Sequence, residues 1–326
     1  MSDAPRSSKS LIDCHVHLAA FPDDGNRCYI SPKMLRSPLF RFLVWKYGLN
    51  PATPRVSNEQ YVDDLLRELR ASRYVRQAVL LGMDGVYTDQ GILDQDRTEF
   101  LIHNDYVLNV ARRHPEELLP GVSINPQRRD AVEEVHRRAQ EGAVLVKVLP
   151  NAQAFDPAQT RYKDFYRTLS QYRLPLLSHV GYEFSLLGQD QSAGDPRRLR
   201  TALEEGVPVI AAHGCSQGLF FREPHYETLV SFMKTYPNFA VDLSALTLPN
   251  RFGMLFRLRR HPEFSGRYLF GTDYPLSVFH VPTWGRAGWR EIFKLRRTTN
   301  RFDRQYGVLK ALGIAFQSFP AFSRTE

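Results

Sequence analysis

Apolar residues along this chain gather into short continuous runs, separated by stretches with helical spacing. The runs lie at residues 11–18, 77–83, 118–125, 143–149, 174–180, 207–213, 239–246 and 268–273. Runs of this length without strict alternation read as strands buried on both faces, the pattern of parallel sheets. Amphipathic stretches fall between them, at 98–113, 130–140, 162–172, 196–205, 226–236 and 251–260. Asn58 reads as the N-cap of a further helix through Tyr61, Leu65, Leu66 and Leu69. Eight such units in 326 residues predict an α/β fold, a closed (β/α)8 TIM-type barrel. The structural alternative is a doubly wound open sheet. No GxGxxG supports it, and Gly82-Met83-Asp84-Gly85 does not mimic one.

Two stretches break the rhythm. Residues 19–57, after the first strand, are rich in proline and aromatic side chains. A connection of that length is uncommon unless it is functional. Within it, residues 34–47 predict a short helix with Leu35, Leu39, Phe42 and Leu43 on one side. The segment reads either as a cap over the mouth of a site, or as a subunit contact or plain surface packing. A homo-oligomer therefore stays open. The chain is read as one domain, 1–326, with 19–57 a cap-like insertion and 276–326 a C-terminal extension. In that extension 284–297 and 302–312 read as helical, while 316–324 shows no clear pattern.

Composition narrows the class. Apolar residues are 43% and charged residues 24%, the balance of a globular protein. No apolar run approaches the roughly 20 residues of a membrane span. Residues 1–6 carry no signal-peptide pattern. The expectation is a soluble, cytoplasmic protein with no membrane partner. The three cysteines, Cys14, Cys28 and Cys215, form no CxxC, which argues against a disulfide framework or a cysteine zinc site. Net charge is +8, which invites a nucleic-acid partner. The arginines, however, are spread over many helices (Arg67, Arg70, Arg112, Arg137, Arg197, Arg257), mostly beside acids. No zinc-finger, P-loop or RNP pattern accompanies them. The expected partner is a small molecule, with the positive charge suited to an anionic one such as a carboxylate.

The chemistry sits at strand ends. In an extended strand over 11–18, Asp13, His15 and His17 share one face, and Ile12, Cys14, Val16 and Leu18 the other. Cys14 is then a packing residue. Two imidazoles aimed at one point suit a divalent metal. Lys147 lies among aliphatics in 144–150, His179 ends 175–179, His213 ends 209–213 and Asp273 follows 269–272. In a (β/α)8 barrel the C-terminal strand ends surround one mouth, so these six side chains converge. Nitrogen and oxygen donors without thiolate fit zinc, put first, or Mn, Fe, Co or Ni, as one or two ions. A buried ammonium is costly, so Lys147 must be paired, neutral or modified. It reads either as a carbamate bridging two metals, or as a lysine paired with an acid or with a substrate carboxylate.

In this order and context His15, His17, Lys147, His179, His213 and Asp273 resemble the amidohydrolase superfamily. Asp13-Cys14-His15-Val16-His17, Ala212-His213-Gly214 and Gly271-Thr272-Asp273-Tyr274-Pro275 are most similar to its amidohydrolase-2, aminocarboxymuconate-semialdehyde decarboxylase-like branch. The resemblance implies a distorted (β/α)8 barrel in which His15, His17 and Asp273 hold one metal. His179 completes that site or binds a second metal. His213 is a second-metal ligand, or an acid/base and electrophile beside a single metal. The tail lacks the Asn-Ala pair common in relatives, which leaves closure of the barrel bottom open.

The expected reaction is metal-assisted hydrolysis of an amide, lactone or ester. A metal lowers the pKa of water from about 15.7 toward roughly 7. Asp273 then takes the proton, and His213 or a second metal steadies the oxyanion. The runner-up is non-oxidative decarboxylation of an unsaturated or aromatic acid. A third reading is a barrel with a structural metal, or a binding module. Tyr182, Glu183, Arg27, Tyr29 and Trp45 are candidate substrate contacts, and the loops 19–57 and 184–195 are expected to set the substrate.

Overall fold

A computed structural model describes residues 10–183, 186, 190–220 and 222–319. Residues 184, 185 and 187–189 of the predicted 184–195 substrate loop, and the end of the 316–324 tail, lie outside the described residues. Eight parallel strands follow one another in chain order. They are β1 (Leu11–His17), β2 (Val75–Leu81), β3 (Leu118–Ser123), β4 (Leu145–Val148), β5 (Leu176–Ser178), β6 (Val209–Ala211), β7 (Phe239–Asp242) and β8 (Tyr268–Leu269). Backbone bonds bring β8 back to β1. The amides of Cys14, Asp273 and His17 donate to the carbonyls of Phe270, His15 and Tyr274 at 2.9–3.0 Å. The result is a (β/α)8 barrel.

The barrel is packed, not hollow. Val79, Leu81, Leu145, Leu177, Ile210, Ala212, Ala240 and Leu269 fill its interior. An outer shell of side chains, including Val16, Leu80, Val146 and Val241, meets the helices. The tail closes the bottom, which the sequence left open. Gln317 N–H donates to the Tyr268 carbonyl at 2.7 Å, and Phe270 N–H to the Gln317 carbonyl at 2.9 Å. The Ile12 amide donates to Ser318 Oγ at 2.9 Å. Phe319, 3% exposed, joins the interior cluster as a plug.

The strict alternation expected in β1 fails at one place. Asp13 pairs with Ala78 and Val16 with Leu80, so β1 spends one more residue than β2 over that interval. The extra residue is a bulge, which re-aims the side chains beyond it. Cys14 packs into the barrel interior before the bulge, and Val16 packs outward after it. Cys14 is thus not opposite the histidines, as alternation required, and Asp13 does not share their task. The Asp13 carboxylate instead accepts from the amides of His15 (2.9 Å) and Thr272 (3.2 Å) and from Thr272 Oγ1 (2.6 Å). It ties the start of β1 to the segment that carries Asp273.

Other local expectations also shift. Residues 98–103 are not helical; Phe100–Leu101 pair antiparallel with Tyr29–Ile30, and the helix starts at Asn104. The helix expected to start at Asn58 begins at Pro54, because proline suits a first helical position. Asn58 is freed to bind the Phe21 backbone, accepting from its N–H at 2.7 Å. The single helix expected over 34–47 is two, α1 (Pro32–Arg36) and α2 (Pro38–Lys46), interrupted at Ser37 before a proline. The predicted apolar side is split, since of its four residues only Leu43 lines the cavity. Leu35, Leu39, Phe42 and Trp45 are 40–75% exposed. Met34, Phe40, Leu43 and Val44 turn inward over the barrel mouth. Among the described residues no helix is long and apolar enough to cross a membrane.

Candidate metal centre

Each of the six predicted side chains reaches the C-terminal mouth of the barrel, but by different routes. His15 and His17 come from the bulged end of β1, and Lys147 from within β4. His179, His213 and Asp273 lie just past their strands rather than on them. His213 and Asp273 take left-handed backbone angles, φ 56° and 63°. Non-glycine residues rarely do so, and such positions cluster at functional sites. Gly271 lets the chain pass close beneath: a Cβ there would lie 3.1 Å from Ser244 Cβ and 3.3 Å from His15 Cβ.

Three donor atoms meet. His15 Nε2 and His17 Nε2 are 3.1 Å apart. Asp273 Oδ1 lies 3.4 Å from the first and 3.1 Å from the second. Ligands about 2.1 Å from one ion sit about 3.0–3.4 Å from each other in octahedral or tetrahedral geometry. The triangle therefore has the dimensions of one face of a coordination shell. His15, His17 and Asp273 form a group able to hold an ion.

Behind the triangle stands Asp242, which sequence reading missed. One oxygen accepts from His15 Nδ1 at 2.8 Å. The other accepts from the amides of His213 (2.9 Å) and Ser244 (3.0 Å) and from Ser244 Oγ (2.5 Å). Burial pushes the Asp242 carboxyl up, but His15 and these bonds more than offset it, so it stays ionised. An ionised carboxylate only accepts, which puts the His15 proton on Nδ1 and the lone pair on Nε2, toward the triangle. His15, His213 and Asp242 also group closely enough for an ion, but that carboxylate is already spent on hydrogen bonds. The signal for Asp242 was in the sequence: it is the polar end of an apolar strand, like the other site residues.

The remaining groups surround this pair of layers. Lys147 Nζ is buried, 3.3 Å from His15 Nε2. Burial lowers its pKa, opposed by Asp242, Asp273 and Glu183. His213 Nδ1 is 2.9 Å from Ser244 Oγ and 3.9 Å from Asp273 Oδ2, and its ring stacks on His15. Its Nε2 is 3.3 Å from His179 Nδ1. His179 Nε2 is buried with no partner among the described residues. Burial, reinforced by Arg251, holds both His179 and His213 well below the usual imidazole range, in the neutral form that ligates metals. Asp273 is held well below the carboxylate range: burial raises it, but His15, His17 and His213 prevail.

Above this floor is a cavity of about 210 Å3. Lys147, His17, His179, Glu183, His213 and Asp273 line its base, and α1, α2 and neighbouring apolar residues form its walls and roof. Of the five predicted substrate contacts only Glu183 lines it. Arg27 points outward and pairs with Asp105 at 3.1 Å. Trp45 is 75% exposed, on the outer face of α2. Tyr29 is held in the short antiparallel ribbon, and the Tyr182 carbonyl accepts from Arg251 at 3.0 Å.

A family model described as Amidohydrolase (Amidohydro_2) matches residues 12–295. The chain belongs to the amidohydrolase-2 family. No curated protein matches this chain in sequence. Solved structures share its fold at low identity. An uncharacterised TIM-barrel protein from Bordetella bronchiseptica aligns at TM-score 0.59 and 17% identity, covering 93% of this chain and 96% of the other. A probable 2-pyrone-4,6-dicarboxylic acid hydrolase from Acinetobacter baumannii aligns at 0.51 and 13%, covering 93% and 99%. A 2,6-dihydroxybenzoate decarboxylase from Rhizobium aligns at 0.51 and 15%, covering 94% and 99%.

Proposed function

We propose that this member of the amidohydrolase-2 family is a metal-dependent hydrolase of a carbonyl-type bond in a small molecule, an amide, lactone or ester. The observation that carries the reading is the division of labour within Asp273. Its Oδ1 completes the triangle with His15 and His17, while its Oδ2 faces His213. The orphaned His179 Nε2 and the neutral imidazoles around it fit a divalent ion, zinc first among the nitrogen- and oxygen-bound candidates. When bound, such an ion supplies Lewis acidity, polarising a carbonyl and making water acidic near neutral pH.

The chain's own groups do the rest. Asp273, ionised at neutral pH, accepts the proton of the attacking water at Oδ2 and returns it to the leaving atom. His213 is braced by Ser244 at Nδ1, which leaves Nε2 as its acid/base position beside the floor. Asp242 fixes the His15 tautomer and, through the His213 amide, the position of that second ring. The roof excludes water, which strengthens each of these interactions.

One observation favours decarboxylation as a second reading: the Lys147 amine lies at the floor and, when protonated, suits a substrate carboxylate. The structural neighbours named above include a probable hydrolase and a decarboxylase. Elemental analysis of protein purified without chelators, run beside panels of lactones, amides and carboxylic acids, separates the readings. Turnover of a lactone, ester or amide that needs the bound ion supports hydrolysis. Release of CO2 with no hydrolytic turnover replaces it by the second reading. Protein that holds no metal and turns over neither panel sinks both.

A further inference from the structure

We infer that the cavity takes a substrate with one polar, reacting head and an uncharged hydrocarbon body. The inference rests on the floor being the reacting end, as proposed above. Its basis is how the polar side chains of the walls are used. Phe21, Ile30, Met34, Phe40, Leu43 and Val44 face the cavity from the insertion. The polar residues among them are turned to the protein. Ser57 Oγ donates to the Asn50 carbonyl at 3.0 Å and accepts from its amide at 2.7 Å. Asn58 accepts from the Phe21 amide and donates to the Phe21 carbonyl at 3.0 Å. Tyr61 OH donates to the His17 carbonyl at 2.7 Å, and Tyr47 OH to the Pro275 carbonyl at 2.5 Å.

The cations follow the same rule. Among the described residues Lys147 is the only basic residue other than histidine lining the cavity. Arg27 pairs outward with Asp105, Lys46 donates to Ser277, and Arg301 pairs with Glu68. Arg251 spends its two terminal nitrogens on the carbonyls of Ser216 and Tyr182. The sequence of 184–189 holds no basic residue either. A second carboxylate on the substrate would therefore be buried against hydrocarbon with nothing to pair it. The anionic preference suggested by the +8 charge is thereby limited to one group, at the floor. An apolar cavity of about 150 Å3 holds a benzene. The space here suits a body from one ring to a chain of about six to eight carbons.

The test uses metal-loaded protein and hydroxamic acids, whose heads chelate an active-site ion without being consumed. Acetohydroxamate, octanohydroxamate and suberic acid monohydroxamate are titrated by calorimetry. Affinity is expected to rise about 3- to 4-fold per added methylene. The terminal carboxylate of the suberic compound should cost it at least about 30-fold against octanohydroxamate. Leu43→Lys should shrink the octano/aceto ratio to within about 3-fold. Metal-free protein is tested in parallel with propylbenzene, read as a rise in melting temperature. Equal affinity across the series, or tighter binding of the suberic compound, overturns the inference while acetohydroxamate binding leaves the metal centre standing. Stabilisation by propylbenzene in a protein that retains no metal upholds the apolar body and sinks the proposed chemistry instead.

Discussion

The floor and the roof of the cavity are built on opposite principles. On the floor every side chain is polar, and four of them are placed by irregular stretches of backbone. A bulge turns His15 and His17 inward, and left-handed residues carry His213 and Asp273. Those irregularities are held by the barrel's own ladder and by buried carboxylates, Asp13 and Asp242. The roof is hydrocarbon, carried by two short helices started by prolines, on a segment the barrel closes without. The difference separates two functions. Chemistry depends on backbone positions that the whole fold fixes, whereas fit depends on a few side chains that can change alone. Loops mounted on a rigid scaffold are where such change is tolerated.

The sharpest way to break this comparison is Asp273→Asn. The change is nearly isosteric, but it removes both a ligand charge and the proton acceptor. Whatever reaction is identified should fall in kcat/KM by about 10^3- to 10^4-fold, with metal content reduced. Affinity of the roof for propylbenzene should persist. If it is lost as well, floor and roof are one unit and the contrast is wrong.

Next is the support from below. Phe319 plugs the barrel bottom, so Phe319→Ala should cost about 3 kcal/mol in denaturant unfolding. Leu39→Ala, on the exposed face of α2, should cost under about 0.5 kcal/mol. Comparable losses at the two positions would mean that the roof carries stability too. Behind the metal triangle, Asp242→Asn places an amide nitrogen against the donors it now accepts from. Metal affinity, measured by competition with a chelator, should drop about 10- to 100-fold.

The same division explains what the sequence disclosed. Short, fully apolar runs ending on His179, His213 and Asp273 announce both the barrel and its mouth, because the strand-end rule is a property of the fold. Asp242 obeys that rule too, but the apolar run continues past it through Leu243, Ala245 and Leu246, so it does not stand out as a strand end. The β1 bulge was not legible: one added residue changes no composition, and only the Asp13↔Ala78 and Val16↔Leu80 pairings expose it. The roof misled for another reason. Residues 38–45 are apolar at every position except Arg41, so periodicity could not say whether Leu39 or Phe40 faces inward. The tail was illegible because Gln317 and Phe319 act through one strand-like contact each, too short to leave a pattern.

The smallest expected effect concerns a titrating group behind the floor, of a kind that residues 32–47, with no Asp, Glu or His, lack entirely. Glu223 accepts from Ser216 Oγ at 2.8 Å and from the Gln217 amide at 3.1 Å, bracing the turn that follows His213. Burial raises its carboxyl from 4.5 to about 7, against those bonds and the nearby Arg251 and Arg257. A carboxyl with a raised folded pKa binds its proton more tightly when folded than when unfolded. Between pH 4.5 and about 7 the native state therefore holds more protons, and stability falls as pH rises through that window. Above it both states are ionised and the penalty is constant. Glu223→Gln carries no such proton, so its melting temperature should decline less than the parent's between pH 5 and 8. Discounted for solvent screening, the difference should be about 1 kcal/mol. Parallel pH profiles for parent and variant would show that Glu223 titrates as an ordinary surface acid and that the floor's backing is as inert to pH as the roof.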